Sequence, residues 1–226
     1  ELIEFFLGPE NIIDIDPRGE LTPIEYLQKQ GYLANVERQD KIKHDSKFIV
    51  PTAIWKAVAK SRDLPEDFLE ILAQDNKRNY AIAKKLLELG KAKKRTLYFG
   101  TNRFQAKLMC AVLISFDIDA AYVDGETPME YRLDVINKFK SGDIDIICNC
   151  DLFTTGFDEP EIQVIVIGKP TKSIVLHQQM IGRGMRGPKM GGTSSFELYE
   201  MDDGLEGYGI DLADHYFTQQ WETSER

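Results

Sequence analysis

The chain has 226 residues, is 42% hydrophobic and 29% charged, and carries a formal net charge of −9. Such a length holds one large domain or two small ones with a core that needs no staples, and the composition is that of an ordinary globular protein. It excludes a helical membrane span, since no apolar run approaches about 18 residues, and the acidic balance argues against a dedicated nucleic-acid coat while leaving room for a local phosphate site.

No signal peptide opens the chain, and because it begins at Glu1 without a Met it is expected to be part of something longer. Cys110, Cys148 and Cys150 fall inside apolar runs and lack metal-ligand spacing. They read as buried thiols of a reducing compartment, which points to a cytoplasmic protein.

In chain order, residues 1–43 form a lead-in of β-α-β type. "NIIDID" reads as a strand closed by Pro17 and the Arg18-Gly19 turn. Thr22 caps a short helix that starts at Pro23, with Glu25 completing a capping box and Gly31 ending it; "YLANVERQ" is the second strand. Residues 44–226 make the main body, with the joint near residues 40–50. Helices are expected over 65–73 and 76–89, the second closed by Gly90. The run from Lys77 to Arg95 is basic, with Glu88 as its one acid, and is read first as a solvated face.

From Arg95 strand and helix alternate. "RTLYFG", "DAAYVDG", "DIDIICN", "IQVIVIG" and "SSFELYEM" are strands. Leu108, Met109, Val112, Leu113 and Phe116 mark one face of a helix after the first of them. Thr127 as cap, Pro128 and Glu130 predict the start of a second, residues 173–186 a third, and "DLADHYFTQQW" a terminal one. Strands such as "VIVI", apolar on both faces, predict a doubly wound parallel sheet covered on both sides.

Ligands of such sheets meet the loops at the carboxyl ends of the strands. Four loops there, at 100–103, 124–128, 149–160 and 168–173, are polar and bear glycine or hydroxyl residues. Thr101, Asn102, Thr154 and Thr155 could supply donors to phosphate, although Thr and Asn also cap helices for purely structural reasons. No G-x-x-x-x-G-K-[ST] loop exists, "DEPE" at 158–161 precedes its strand rather than following one, and no metal-ligand or Ser-His-Asp set stands out. His177 reads as packed or locally hydrogen-bonded. In "HQQMIGRGMRG" a continuous helix would place Gln179, Arg183 and Arg186 on one face. Gly182 and Gly184 inside it suggest that something sits close to its backbone.

Taken in order, "LYFGTNR", "VDGETP", "CDLFTTGFDEP" and "QQMIGRGMR" resemble the second RecA-like domain of superfamily-two DEAD/DEAH-box helicases. The last two stretches, similar to motif V and motif VI, carry the likeness; the first, similar to motif IV, is looser. The wording "QMIGRGMR" is most like the motor subunits of type I and type III restriction enzymes. The resemblance implies a RecA-like helicase C-terminal domain with ATP bound between it and a first RecA-like domain outside this sequence, which supplies the phosphate loop and most of the hold on Mg. It implies that Arg183 and Arg186 reach the γ-phosphate as arginine fingers, that Gln179, Gly182, Gly156 and Asp158 line the nucleotide, and that Thr101, Asn102, Arg103, Thr154 and Thr155 hold a nucleic-acid backbone. DNA is favoured over RNA, restriction or modification subunits are candidate partners, and this chain alone is expected to be inactive. The alternative is a RecA-like binding module without catalysis.

Overall fold

The structure, a computed structural model, describes residues 21–150 and 161–215. Seven strands form one sheet: β1 (Asn35–Arg38), β2 (Ile42–Lys43), β3 (Thr96–Phe99), β4 (Ala120–Asp124), β5 (Ile146–Cys150), β6 (Val164–Ile167) and β7 (Ser195–Asp202). Their order is β1-β7-β6-β3-β5-β4, with β2 also on β7, and every pairing is parallel. Among the described residues, helices α1 (Pro23–Lys29), α2 (Thr52–Lys60), α3 (Glu66–Gln74), α4 (Asn76–Lys91), α5 (Arg103–Ser115), α6 (Met129–Ser141) and α7 (Ile174–Ile181) accompany them.

Side chains alternate across the central strands because a strand repeats every two residues. Leu97, Phe99, Ile147, Ile165 and Ile167 enter one core with Val135 and Phe139 of α6 and Met180 and Ile181 of α7. Tyr98, Ile146, Cys148, Val164 and Val166 enter the other with Ile82 and Leu86 of α4 and Met109 and Leu113 of α5. Both faces are therefore covered, as the apolar strands predict. A satellite core gathers Val58, Phe68, Leu72, Leu205 and Ile210 beneath α2 and α3.

The lead-in helix has its capping box, with the Thr22 amide donating to Glu25 and the Glu25 amide to Thr22 Oγ1. Its strand β1 and the short β2 then join the common sheet through β7. The strand read at "NIIDID" and most of the terminal helix lie outside the described residues. Three elements differ from expectation. Helix α2 follows Pro51 without a side-chain cap and was not legible from its sequence. Thr127 does not cap α6; its hydroxyl turns back to Asp124 Oδ1 at 3.0 Å, and Pro128 occupies the cap position. Helix α7 stops at Ile181 rather than near 186.

Candidate functional site

Ser173 opens α7 by accepting from the Leu176 amide. Gly182 closes it, and two tight hydrogen bonds, Gly184 to Ile181 and Met185 to Gly182, turn the chain out of the helix. Residues 185–189 are then zipped to residues 31–34. Ala34 donates to Met185, Gly187 to Tyr32 and Lys189 to Gly31, and Leu33 and Arg186 form an antiparallel bridge. Gln179, Arg183 and Arg186 therefore do not share a helix face. Gln179 stays on α7, while the two arginines ride a loop stitched to the segment before β1.

Close packing accounts for two of the glycines. A Cβ on Gly184 would lie 2.7 Å from the Phe196 ring, and one on Gly187 would run into the Gly31 carbonyl. Protein atoms therefore crowd the backbone at Gly184 and Gly187. Arg183 is partly buried, and burial lowers its guanidinium pKa, yet an arginine stays charged at neutral pH. Nearer the start of α7, His177 Nε2 meets Glu200 Oε1 at 2.6 Å and Arg38 Nη2 donates to Glu200 Oε2 at 2.6 Å. Burial alone would raise the Glu200 carboxyl, but His177 and Arg38 hold it below its ordinary value. The partner of His177 is thus distant in sequence, and the salt-bridged cluster pins α7 to β7 and β1.

Since Asn35 pairs with Ser195 where β1 and β7 begin, the arginine loop lies at the amino ends of the strands. The loops expected to hold a polynucleotide lie at the carboxyl ends. The arginine loop and the polar loop at 100–103 therefore lie at opposite ends of the sheet.

At the carboxyl ends Thr101 is buried and fully engaged. Its Oγ1 accepts from Arg78 Nη1 and donates to the Gly168 carbonyl, each at 2.8 Å, and its amide donates to Gln105 Oε1 at 3.1 Å. No donor remains for a polynucleotide, so its expected role is corrected to a structural one. Asn102 Oδ1 accepts from the Gln105 amide at 2.9 Å and caps α5. Arg103 is half exposed, pairs with Glu126 and lies 3.8 Å from Asp124. Thr154, Thr155, Gly156 and Asp158 fall outside the described residues.

The residue that the sequence reading passed over is Arg78. It is wholly buried, gives Nε and Nη2 to Asp203 at 2.6 and 2.9 Å, and gives Nη2 to the Gly168 carbonyl at 2.5 Å. His44 Nε2 shares a 3.0 Å hydrogen bond with Asp203 Oδ1. Burial opposes ionisation of Asp203, but Arg78 and His44 beside it bring its pKa down to about 2. One guanidinium thus ties the ends of β3, β6 and β7 together. A signal existed: Arg78, Ile82, Leu86 and Leu89 follow one stripe of α4, so the arginine stands on an apolar face.

Residues 78–188 match the family described as helicase conserved C-terminal domain. Over those residues the chain is similar to a helicase C-terminal domain. The chain is 38% identical over 96 residues to the ATP-dependent helicase IRC3 of Saccharomyces cerevisiae, covering 42% of this chain and 14% of that protein. It is 25% identical over 192 residues to the ATP-dependent RNA helicase DRS1 of the same species, covering 80% and 25%. It therefore spans a quarter or less of these two relatives. Among solved structures, a fragment of an HsdR subunit of a type I restriction enzyme from Vibrio vulnificus YJ016 superposes with a TM-score of 0.56 at 20% identity, over 81% of this chain and 35% of that one. A DEAD box protein from Methanococcus jannaschii superposes at 0.50 and 20% identity, over 65% and 37%. These two likenesses establish the RecA-like fold. Among the described residues, no helix is long and apolar enough to cross a membrane.

Proposed function

We propose that this chain is the second motor domain of an ATP-dependent DNA helicase or translocase, working against a first RecA-like domain of the same longer, cytoplasmic protein. In this reading residues 44–226 are the motor body and residues 1–43 the segment between the domains. The observation that carries it is the arginine loop: Arg183 leaves the end of α7, Arg186 lies in the stretch zipped to residues 31–34, and Gly184 and Gly187 are crowded where a Cβ would stand. A backbone so fixed holds two planar guanidinium forks with little ordering left to do, which is what stabilising charge on a transferring phosphoryl group requires.

ATP supplies the phosphoryl group and magnesium neutralises part of its charge. The domain's own contribution is cationic: Arg183 and Arg186 to the phosphates, with Gln179 and Gly182 beside them. Asn102, Arg103, Thr154 and Thr155 hold the nucleic-acid backbone, and Gly156 and Asp158 line the nucleotide. The preference for DNA, and for restriction or modification subunits as partners, rests on the likeness to the restriction-enzyme subunit. The chain alone would hydrolyse no ATP.

The test is nucleic-acid-stimulated ATP turnover of a protein joining this domain to its first domain, with Arg183→Ala and Arg186→Ala. Turnover should fall by on the order of 10³ or more, while strand affinity and melting temperature stay near wild type. Near-normal turnover with a lowered melting temperature would make the two arginines mere loop residues.

A further inference from the structure

The basic stretch from Lys77 to Arg95 is largely neutralised within the fold. Arg78 is spent on Asp203, Lys85 on Glu88, Lys93 on Asp119 and Asp145, Lys94 on Glu197 and Arg95 on Glu161. Much of the remaining charge collects in one place. Lys77, Tyr80 and Lys84 stand on one exposed side of α4 and face Lys43, the last residue of β2, across an open groove of about 670 Å³. Lys43 and Lys84 enter no ion pair among the described residues. Lys77 meets Asp45 at 3.0 Å, but both are well exposed, and such a pair is screened and exchangeable. Tyr80 is 71% exposed.

We infer that this groove is a second binding surface for single-stranded nucleic acid, with phosphates on Lys43, Lys77 and Lys84 and a base stacked on Tyr80. The inference rests on the nucleic-acid reading of the domain. Three lysines against one carboxylate make a local cationic site in a chain of net charge −9. An acidic polypeptide would answer the lysines but leave the ring unused, whereas every base offers a face to stack on it. Position points the same way. β2 pairs with the last two residues of β7, so the groove opens at the carboxyl ends of the strands. Its wall residue His44 holds Asp203, Asp203 holds Arg78, and Arg78 holds Thr101. A buried chain of hydrogen bonds thus fixes the groove to the loop that presents Asn102 and Arg103. A strand leaving that loop meets the groove as the next cationic surface.

The experiment is an anisotropy titration of the chain with fluorescein-labelled oligothymidylate across a range of salt. Lys43→Glu with Lys84→Glu should weaken binding and flatten the log–log salt slope by about 1.4, roughly 0.7 for each phosphate no longer neutralised. Tyr80→Ala should weaken binding about tenfold with the slope unchanged. Lys43→Arg with Lys84→Arg should keep both affinity and slope, and all variants should melt with the wild type because every altered side chain is exposed. Wild-type affinity and slope in the glutamate variant, with binding abolished only by Arg103→Glu, would overturn the groove and leave the proposed function standing. Absence of strand binding by the wild type would remove both. Displacement by oligoglutamate, together with a silent Tyr80→Ala, would reassign the groove to an acidic polypeptide.

Discussion

Replacing Arg78 by alanine should be the most destabilising single change at the carboxyl ends of the sheet. The guanidinium makes four hydrogen bonds at 2.5–2.9 Å, two of them to a carboxylate with almost no solvent access. Its removal leaves Asp203 buried with His44 as its remaining side-chain partner, and strips a donor from Thr101 and from the Gly168 carbonyl. Breaking a buried pair by deleting one member costs about 3–5 kcal/mol. Set against a typical domain stability of about 5–15 kcal/mol, that is a large share. At roughly 2–4 °C per kcal/mol for a chain of this size, the melting midpoint should drop by about 10 °C. Urea denaturation followed by far-ultraviolet circular dichroism measures the free energy directly. Arg78→Met with Asp203→Leu should recover much of the loss, because apolar residues of similar volume leave no orphaned charge. A loss under about 1 kcal/mol for Arg78→Ala would show that the pair is solvated in solution, and the role assigned to it would fail.

Acid should reveal the same network. The folded Asp203 carboxyl titrates at about 2 against an ordinary 3.8, so the unfolded chain binds the proton more readily and the contribution of Asp203 is complete above pH 4. It is lost as pH falls through 2; the stability gap between wild type and Asp203→Asn should shrink by about 2 kcal/mol from pH 5 to pH 2, and a constant gap would contradict the assignment. Gly187→Ala should cost about 1–3 kcal/mol, since its Cβ would press on the Gly31 backbone, which cannot swing aside as a side chain would; an unchanged urea midpoint would mean the zipped loop is looser than described.

The sheet was legible because its strands are apolar on both faces and their neighbours are capped or closed by glycine, as at Thr22 and Gly31. The two misplaced features share a cause. Helix α7 ends early because residues 185–189 hydrogen-bond to residues 31–34, more than 150 positions away in sequence, and no local pattern encodes that contact. Thr101 looked like a phosphate donor because its loop is polar, yet its hydroxyl is consumed by Arg78 and Gly168, which converge only when α4 lies on the sheet. Arg78 was hidden by company: it sits in a run of basic residues, most of which are exposed. Its helical phase, in line with Ile82 and Leu86, was the signal that a charge count discards.

The proposed function turns on Arg183 and Arg186 acting on a phosphoryl group. Arg186→Lys tests it most directly, because it keeps the positive charge and the Leu33 bridge, which is made by backbone, while removing the planar fork. In the protein joining both RecA-like domains, nucleic-acid-stimulated ATP turnover should fall by at least about a hundredfold, with the melting midpoint and strand affinity unchanged. Turnover within a few-fold of wild type would contradict the account.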